Sequence, residues 1–170
     1  IRIIFFLLII IFPIKAYALI EVDITRGNLN PLPIAVSPLS IDEKSKQTFE
    51  KILKKKDIGS EISLIVENNL KISGLFNPLN KEAFLQAPDI ANLKPRFEDW
   101  SLIKAQALIT GKVNFIDDKL RVEFRLWDVL AGKEMMALAF TTVPTNWRRV
   151  GHIITDKVYE RLTGEKGYFD

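Results

Sequence analysis

The hydrophobic pattern divides the chain near residue 19. Residues 1–18 (IRIIFFLLIIIFPIKAYA) hold fifteen apolar positions, ten of them in one unbroken run at 3–12. From there the pattern alternates. In 19–24 (LIEVDI), Ile20, Val22 and Ile24 fall on one side and Glu21 and Asp23 on the other, the period of a strand with one buried face. A Gly- and Pro-containing loop (TRGNLNPLP) follows, then 33–39 (PIAVSPL), an apolar run bounded by prolines that predicts a short buried strand. Residues 42–56 (DEKSKQTFEKILKKK) carry six lysines. Phe49, Ile52 and Leu53 are spaced to dock a short helix, but the run reads as a solvated insertion because acids interleave with the lysines. Contact with anionic lipid or nucleic acid is its alternative reading.

The first convincing helix opens at Asp57-Ile58-Gly59-Ser60, with Ser60 as candidate N-cap and Ser63 where a capping box needs an acid. Ile58, Ile62, Ile65, Val66, Asn69 and Ile72 form its stripe, and Gly74 stops it. Residues 76–79 allow only a brief strand or turn. Residues 80–98 read as irregular, with Pro88 and Pro95 as breakers and a helical turn near 81–85. A short helix is expected over 99–104. Residues 107–115, 120–126 and 134–143 alternate as three successive strands, with turns at Asp117-Asp118 and around Gly132. Arg121, Glu123 and Arg125 give the second of them a charged face. Asn146 is the candidate cap of a last helix whose stripe is Trp147, Val150, Ile154, Val158 and Leu162, ending at Thr163-Gly164. These elements predict an α+β domain, layered, in which two main helices cover one face of a mixed, largely antiparallel sheet.

Composition changes the picture at the N-terminus. A cation at Arg2, the apolar run, Pro13 and then Ala16-Tyr17-Ala18 have the layout of a secretory signal peptide cleaved after Ala18. The run is too short for a membrane span of roughly 20 residues; an uncleaved anchor, making the chain a membrane-bound accessory domain, is the alternative. The whole chain has 24 Lys and Arg against 21 Asp and Glu. Without Arg2 and Lys15 the net charge falls to +1, which gives no reason to expect nucleic acid. There is no cysteine and one histidine, so disulfides, thiol nucleophiles, lipid-bearing cysteines and two-His metal sites are excluded.

Chemistry is sparse. No phosphate-binding loop, dinucleotide fingerprint, nucleophile elbow or zinc-protease motif is present. His152, within the last helix, reads as a partly exposed structural histidine because no triad partner lies near it in sequence. Asp117-Asp118 lacks the glycine and glutamate of a calcium loop and reads as a hairpin turn. Glu21 and Asp23 read as the polar face of an edge strand. Trp100 and Trp147 fit core positions; Trp127, on the charged face, suits either a ligand or a covering helix. No catalytic residue, cofactor or metal is expected, and the domain reads as a non-enzymatic docking module.

Several phrases belong together: PIAVSPL at 33–39, SGLFNPL at 73–79, ALITGKV at 107–113, RVEFRLWD at 121–128, and NWRRVGHIITD at 146–156 running on through YERLTGEKGYF. In these the chain resembles the amino-terminal domain of the TolB family of Gram-negative envelopes, from about residue 19 to 170. The resemblance implies an anticodon-binding-like fold, a periplasmic location, and a six-bladed β-propeller lying beyond Asp170 that binds the lipoprotein Pal. It further implies a segment at the mature N-terminus that binds the C-terminal domain of TolA and can switch between ordered and disordered states. Carried onto this sequence, that segment is Ile20, Glu21, Val22, Asp23, Ile24, Thr25, Arg26 and Gly27, within a strand and tether at 19–32 that precedes the domain proper at 33–170. The family often has an acid just after the strand end, where this chain has Thr25 and Arg26. Nucleic-acid binding, suggested by the fold analogy alone, is set aside on the export signal and charge.

Overall fold

The computed structural model describes residues 20–23 and 30–170. The segment expected to direct export, with its expected cleavage site after Ala18, lies outside the described residues, as do Ile24, Thr25, Arg26 and Gly27. Among the described residues no helix is long and apolar enough to cross a membrane.

Six strands form one mixed sheet: β1 (Leu32–Val36), β2 (Ser40–Ile41), β3 (Phe76–Pro78), β4 (Ala107–Ile116), β5 (Lys119–Asp128) and β6 (Lys133–Thr142). Five lie in the order β3-β1-β4-β5-β6, and β2 pairs with β4 beyond the end of β1. The pairings of β1 and β2 are parallel, whereas the long β4–β5 and β5–β6 pairings are antiparallel. Among the described residues five helices accompany the sheet: α1 (Glu43–Leu53), α2 (Ile58–Ile72), α3 (Pro88–Leu93), α4 (Phe97–Leu102) and α5 (Trp147–Thr163). The α+β class and the mixed sheet agree with the expectation. Ile116 pairs with Lys119, so Asp117 and Asp118, both at positive φ (50° and 58°), make a two-residue hairpin turn, the geometry that suits the twist of antiparallel strands.

Strand alternation sends Ile109, Val113, Leu120, Val122, Phe124 and Leu126 into the main core, beneath α2 and α5. All five predicted stripe residues of α5 are buried. The two helices cross at Gly151, where a Cβ would stand 2.9 Å from the Ile65 side chain. On α2 the buried row is Ile58, Ile62, Val66 and Leu70. Ile72, expected in the stripe, is 78% exposed; two positions beyond Leu70, it is turned about 200° away around the helix. The cap also differs. Asp57 caps α2, accepting the Ser60 amide at 2.9 Å and the Ser60 hydroxyl at 2.7 Å, so Ser60 lies inside the first turn.

The opposite face of the sheet is not bare. Ala35 and Leu108 pack with Ala91, Trp100, Ala105 and Val129 into a second, smaller core under α3 and α4. Pro88, expected as a breaker, is the first residue of α3, where its missing N–H costs nothing and its fixed φ suits the helix. The 81–85 turn is a 3-10 turn at Lys81–Ala83, and the helix expected at 99–104 is α4. Asn146 stands at the N-cap position of α5 as expected but makes no side-chain cap bond; its side-chain amide donates to Thr142 Oγ1 at 3.0 Å, and a 3-10 turn at Pro144–Asn146 leads into the helix.

The lysine-rich segment is a regular helix rather than a solvated insertion. Phe49 is fully buried, edge-on to Phe115 at 5.5 Å, and Ser45 Oγ accepts the Phe115 amide at 2.8 Å. Ile52 is half exposed and the lysines lie on the outer side. Asp42 caps α1 through the Ser45 amide at 2.9 Å and the Ser45 hydroxyl at 2.6 Å. The Ser45 hydroxyl, then the Ser45 amide, hold the Asp42 carboxyl below its ordinary value against the opposing effect of burial, and Asn114 helps. A depressed folded-state value contributes stability above the unfolded value of about 3.9 that is lost as pH falls through the folded one. Protection of the Ser45 amide, relative to its intrinsic exchange rate at each pH, is therefore expected to fall only below about pH 4, and Asp42→Ala to abolish that acid step while loosening α1 at neutral pH. A Ser45 protection factor that stays constant through that range in the unsubstituted protein contradicts the assignment.

Candidate partner-binding segment

Residues 20–23 lie against the C-terminal end of α5. Val22 is 5% exposed and belongs to the main core, Ile20 packs partly against it, and Glu21 and Asp23 are exposed. The predicted alternation is therefore realised, but the predicted strand is not: these four residues pair with no strand. The Val22 amide instead donates to Leu162 O at 2.7 Å. Leu162 lies in the last turn of α5, whose final carbonyls have no partner within the helix. The Ile20 amide donates to Asp128 Oδ2 at 3.3 Å. An open groove of about 650 Å³ separates Glu21, Val22 and Asp23 from Asn30, Asn77 and Gln106 near the start of β1.

The chain after α5 returns to the same helix. Gly164, at φ 76°, closes α5 by donating to Glu160 O at 2.9 Å. Residues 165–170 then fold back, and the amides of Phe169 and Asp170 donate to the Asp156 carboxylate at 2.8 and 3.1 Å. Tyr168 and Phe169 pack edge-on to Tyr159, which burial raises above its ordinary pKa. Arg149 grips the Asp170 carboxylate with two nitrogens, at 2.9 and 3.1 Å, holding it below the usual carboxylate value.

The remaining candidate residues have structural places. His152 Nδ1 lies 2.9 Å from Asn69 Nδ2, joining α5 to α2. Trp100 is buried with its Nε1–H on Gln86 Oε1 at 2.9 Å, and Trp147 is buried on α5. Trp127 donates to Thr110 Oγ1 at 2.9 Å and meets the Phe97 ring of α4 at 5.9 Å, so a covering helix accounts for it. No group of three or more His, Asp or Glu side chains among the described residues could hold a metal ion. Sequence reasoning missed Asp128 and Leu162 as docking partners. Leu162 acts through its main chain, which no side-chain pattern reveals, and Asp128 was legible only as a residue before a turn.

Residues 20–135 match the family described as TolB amino-terminal domain. The chain belongs to the TolB amino-terminal domain family. It is 84% identical over 165 residues to the Tol-Pal system protein TolB of Pelagibacter ubique (strain HTCC1062), an alignment that covers 97% of this chain and 37% of that protein. The chain thus spans little more than a third of that relative's length. Its fold is similar to the crystal structure of TolB from Acinetobacter baumannii, with a TM-score of 0.64 and 22% identity over 81% of this chain and 30% of that one. The family match begins at Ile20, so residues 20–23 lie within the TolB amino-terminal domain as the family defines it.

Proposed function

We propose that this chain is the non-catalytic docking domain of a periplasmic Tol-Pal protein, and that its mature N-terminal segment, residues 19–32, is captured by the C-terminal domain of TolA. Pal is bound through a propeller outside this sequence. The domain then links the inner-membrane TolA to the outer-membrane Pal and supports envelope integrity and invagination during division. The likeness to a Tol-Pal system protein over nearly the whole chain supports the setting. The observation that carries the mechanism is the light docking of residues 20–23. Among the contacts described, the Val22 amide bonds a helix-end carbonyl, the Ile20 amide bonds Asp128, and two apolar side chains pack on the domain, while Glu21 and Asp23 are exposed.

Such a segment can leave its own domain and add to the edge of a partner's sheet, main-chain bonds giving affinity and alternate side chains giving specificity. Ordering a free segment takes roughly 2–5 kcal/mol out of the gross binding energy, so its release sets the affinity. Titration of the TolA C-terminal domain against the chain starting at Leu19 and against a version starting at Asn30 tests the reading. Binding is expected only with the first; equal affinity for both overturns it. The mass of the exported protein tests the setting, with a start at Leu19 expected and a retained 1–18 segment contradicting it.

A further inference from the structure

The sheet ends at β6. Its inner edge pairs with β5 from Lys133 to Thr142, and among the described residues no strand pairs with its outer edge. An open edge of this length is a template for another chain unless charge, proline, a bulge or brevity blunts it. β6 keeps such devices at its start only. Lys133 and Glu134 are charged, and a register shift opposite Leu126 and Trp127 leaves Met135 unpaired. From Met136 to Thr142 (MALAFTT) seven residues then run with no charge, no proline and no break in register. About every second residue of such a strand directs its N–H and C=O to the open side.

The two faces beside this edge differ. On the α5 side, Met136, Leu138 and Phe140 stand opposite Leu126, Phe124 and Val122 of the main core. There an open pocket of about 160 Å³ lies between strand and helix, lined by Phe140, Val150 and Ile153 together with Asn146 and Arg149. A cavity of about 150 Å³ takes a group the size of benzene, and Arg149 is already engaged by Asp170, so this face suits an apolar side chain. On the other face Ala137 and Ala139 stand opposite Arg125 and Glu123, in an open basin of about 220 Å³ lined also by Arg121. A strand added outside β6 lies about 9.5 Å from β5, two strand spacings, and the small alanines let arginine side chains reach across. Here Glu123 serves both Lys112, at 3.4 Å, and Arg121, at 3.0 Å, while Arg125 meets Glu134 at 3.2 Å. Three cations share two acids, and the surplus is positive.

We propose that the outer edge of β6, from Met136 to Thr142, captures an extended segment of a partner protein in which apolar and acidic side chains alternate. Successive side chains of a strand point to opposite faces, so the apolar ones enter the pocket beside Ile153 while the acidic ones meet Arg121 and Arg125. The main-chain ladder supplies affinity and the two faces supply the choice of sequence. A second copy of this chain is the poorer occupant, because its β6 brings one arginine-lined basin against another. The inference goes beyond the proposed function: it gives the domain a docking edge that leaves residues 19–32 uninvolved.

The probes are two capped peptides of about nine residues, long enough to span the open edge, one alternating valine with glutamate and the other valine with lysine. Each is titrated into the chain from Leu19 to Asp170, with amide exchange locating the bound peptide. The valine–glutamate peptide is expected to protect alternate amides within Met136–Thr142. It is expected to bind about tenfold tighter than the valine–lysine peptide, a preference that shrinks as salt rises. Arg121→Gln is expected to narrow that preference about threefold. Ala139→Glu, which sets an acid on an exposed edge position, is expected to remove binding of the valine–glutamate peptide. Equal binding of the two peptides, an unchanged preference in Arg121→Gln, or protection that falls outside β6 overturns the proposal, as does the absence of any protection. Self-association of the chain that protects the same amides without peptide assigns the edge to a second copy and overturns it too. If Ala139→Glu fails to fold, Arg121→Gln decides. Binding at β6 is read with no TolA present, so the failure of either reading leaves the other standing.

Discussion

Trp100→Ala is expected to destabilise the domain by about 3–5 kcal/mol, the range for removing a large buried aromatic side chain. Trp100 fills the second core, where α3 and α4 cover Ala35 and Leu108 on the sheet face opposite α2 and α5. Its neighbours include Ala35, Ala91 and Ala105, which have no side chain that can swing into the void, and Phe84, edge-on at 5.0 Å, which loses its partner. The loss also breaks a polar joint. Gln86 Oε1 accepts both Trp100 Nε1–H at 2.9 Å and the Arg96 amide at 2.8 Å, and its amide donates to Lys94 O at 3.2 Å, so one side chain ties α4 to the end of α3. Urea unfolding followed by backbone circular dichroism measures the effect, and exchange of the amides in α3 and α4 locates it. A loss below about 1 kcal/mol shows that the second core is dispensable.

Gly59→Ala tests the other side of the sheet, and its sign is the informative part. In an ordinary helix the change is favourable by about 0.5–1 kcal/mol, because glycine is the poorer helix former. Gly59 lies in the first turn of α2, where a Cβ would stand 2.1 Å from the carbonyl oxygen of Leu39. That oxygen is backbone and cannot swing away. Around it Ser63 Oγ accepts the Leu39 amide at 2.9 Å and approaches Ser37 O at 3.1 Å and Gly59 O at 3.0 Å, so the chain between β1 and β2 is bonded onto α2. The substitution is expected to destabilise by about 2–3 kcal/mol, in the range of overpacked cores. Thermal and urea unfolding measure it, and a neutral or stabilised variant contradicts the close approach.

The parts of this fold that were legible in the sequence are those where pattern alone decides the outcome. The β4–β5–β6 meander, with its Asp117-Asp118 turn, follows from period-2 alternation. The α5 stripe and its Gly164 stop follow from helical period and capping chemistry. Where two local signals competed, the sequence was ambiguous. At α2 both Asp57 and Ser60 have capping side chains, and the deciding fact is which one precedes the first helical residue. Leu70 and Ile72 both suit a stripe, and only the docking angle onto the sheet selects Leu70. Pro88 reads equally as a stop or as a start, because proline opens a helix as readily as it ends one. In the 42–56 segment six lysines outweighed a single Phe49, although one fully buried aromatic is enough to anchor the three turns of α1. The candidate site was the least legible. Alternation identified Ile20 and Val22 as the buried side, but their partners are a main-chain carbonyl at Leu162 and a carboxylate more than a hundred positions away.

The attachment of residues 20–23 also has a mechanical side. A tension drawn along the segment from its N-terminal end meets the Ile20–Asp128 contact and then the Val22–Leu162 bond, one after the other. These two bonds are loaded in turn rather than together, which favours peeling over shearing. Farther along the chain β1 is paired along both edges, with β3 on one side and β4 on the other, and must be sheared from two ladders at once. Bonds at residues 20 and 22 that yield one at a time thus precede, along the chain, a strand at 32–36 that yields only with both of its neighbours.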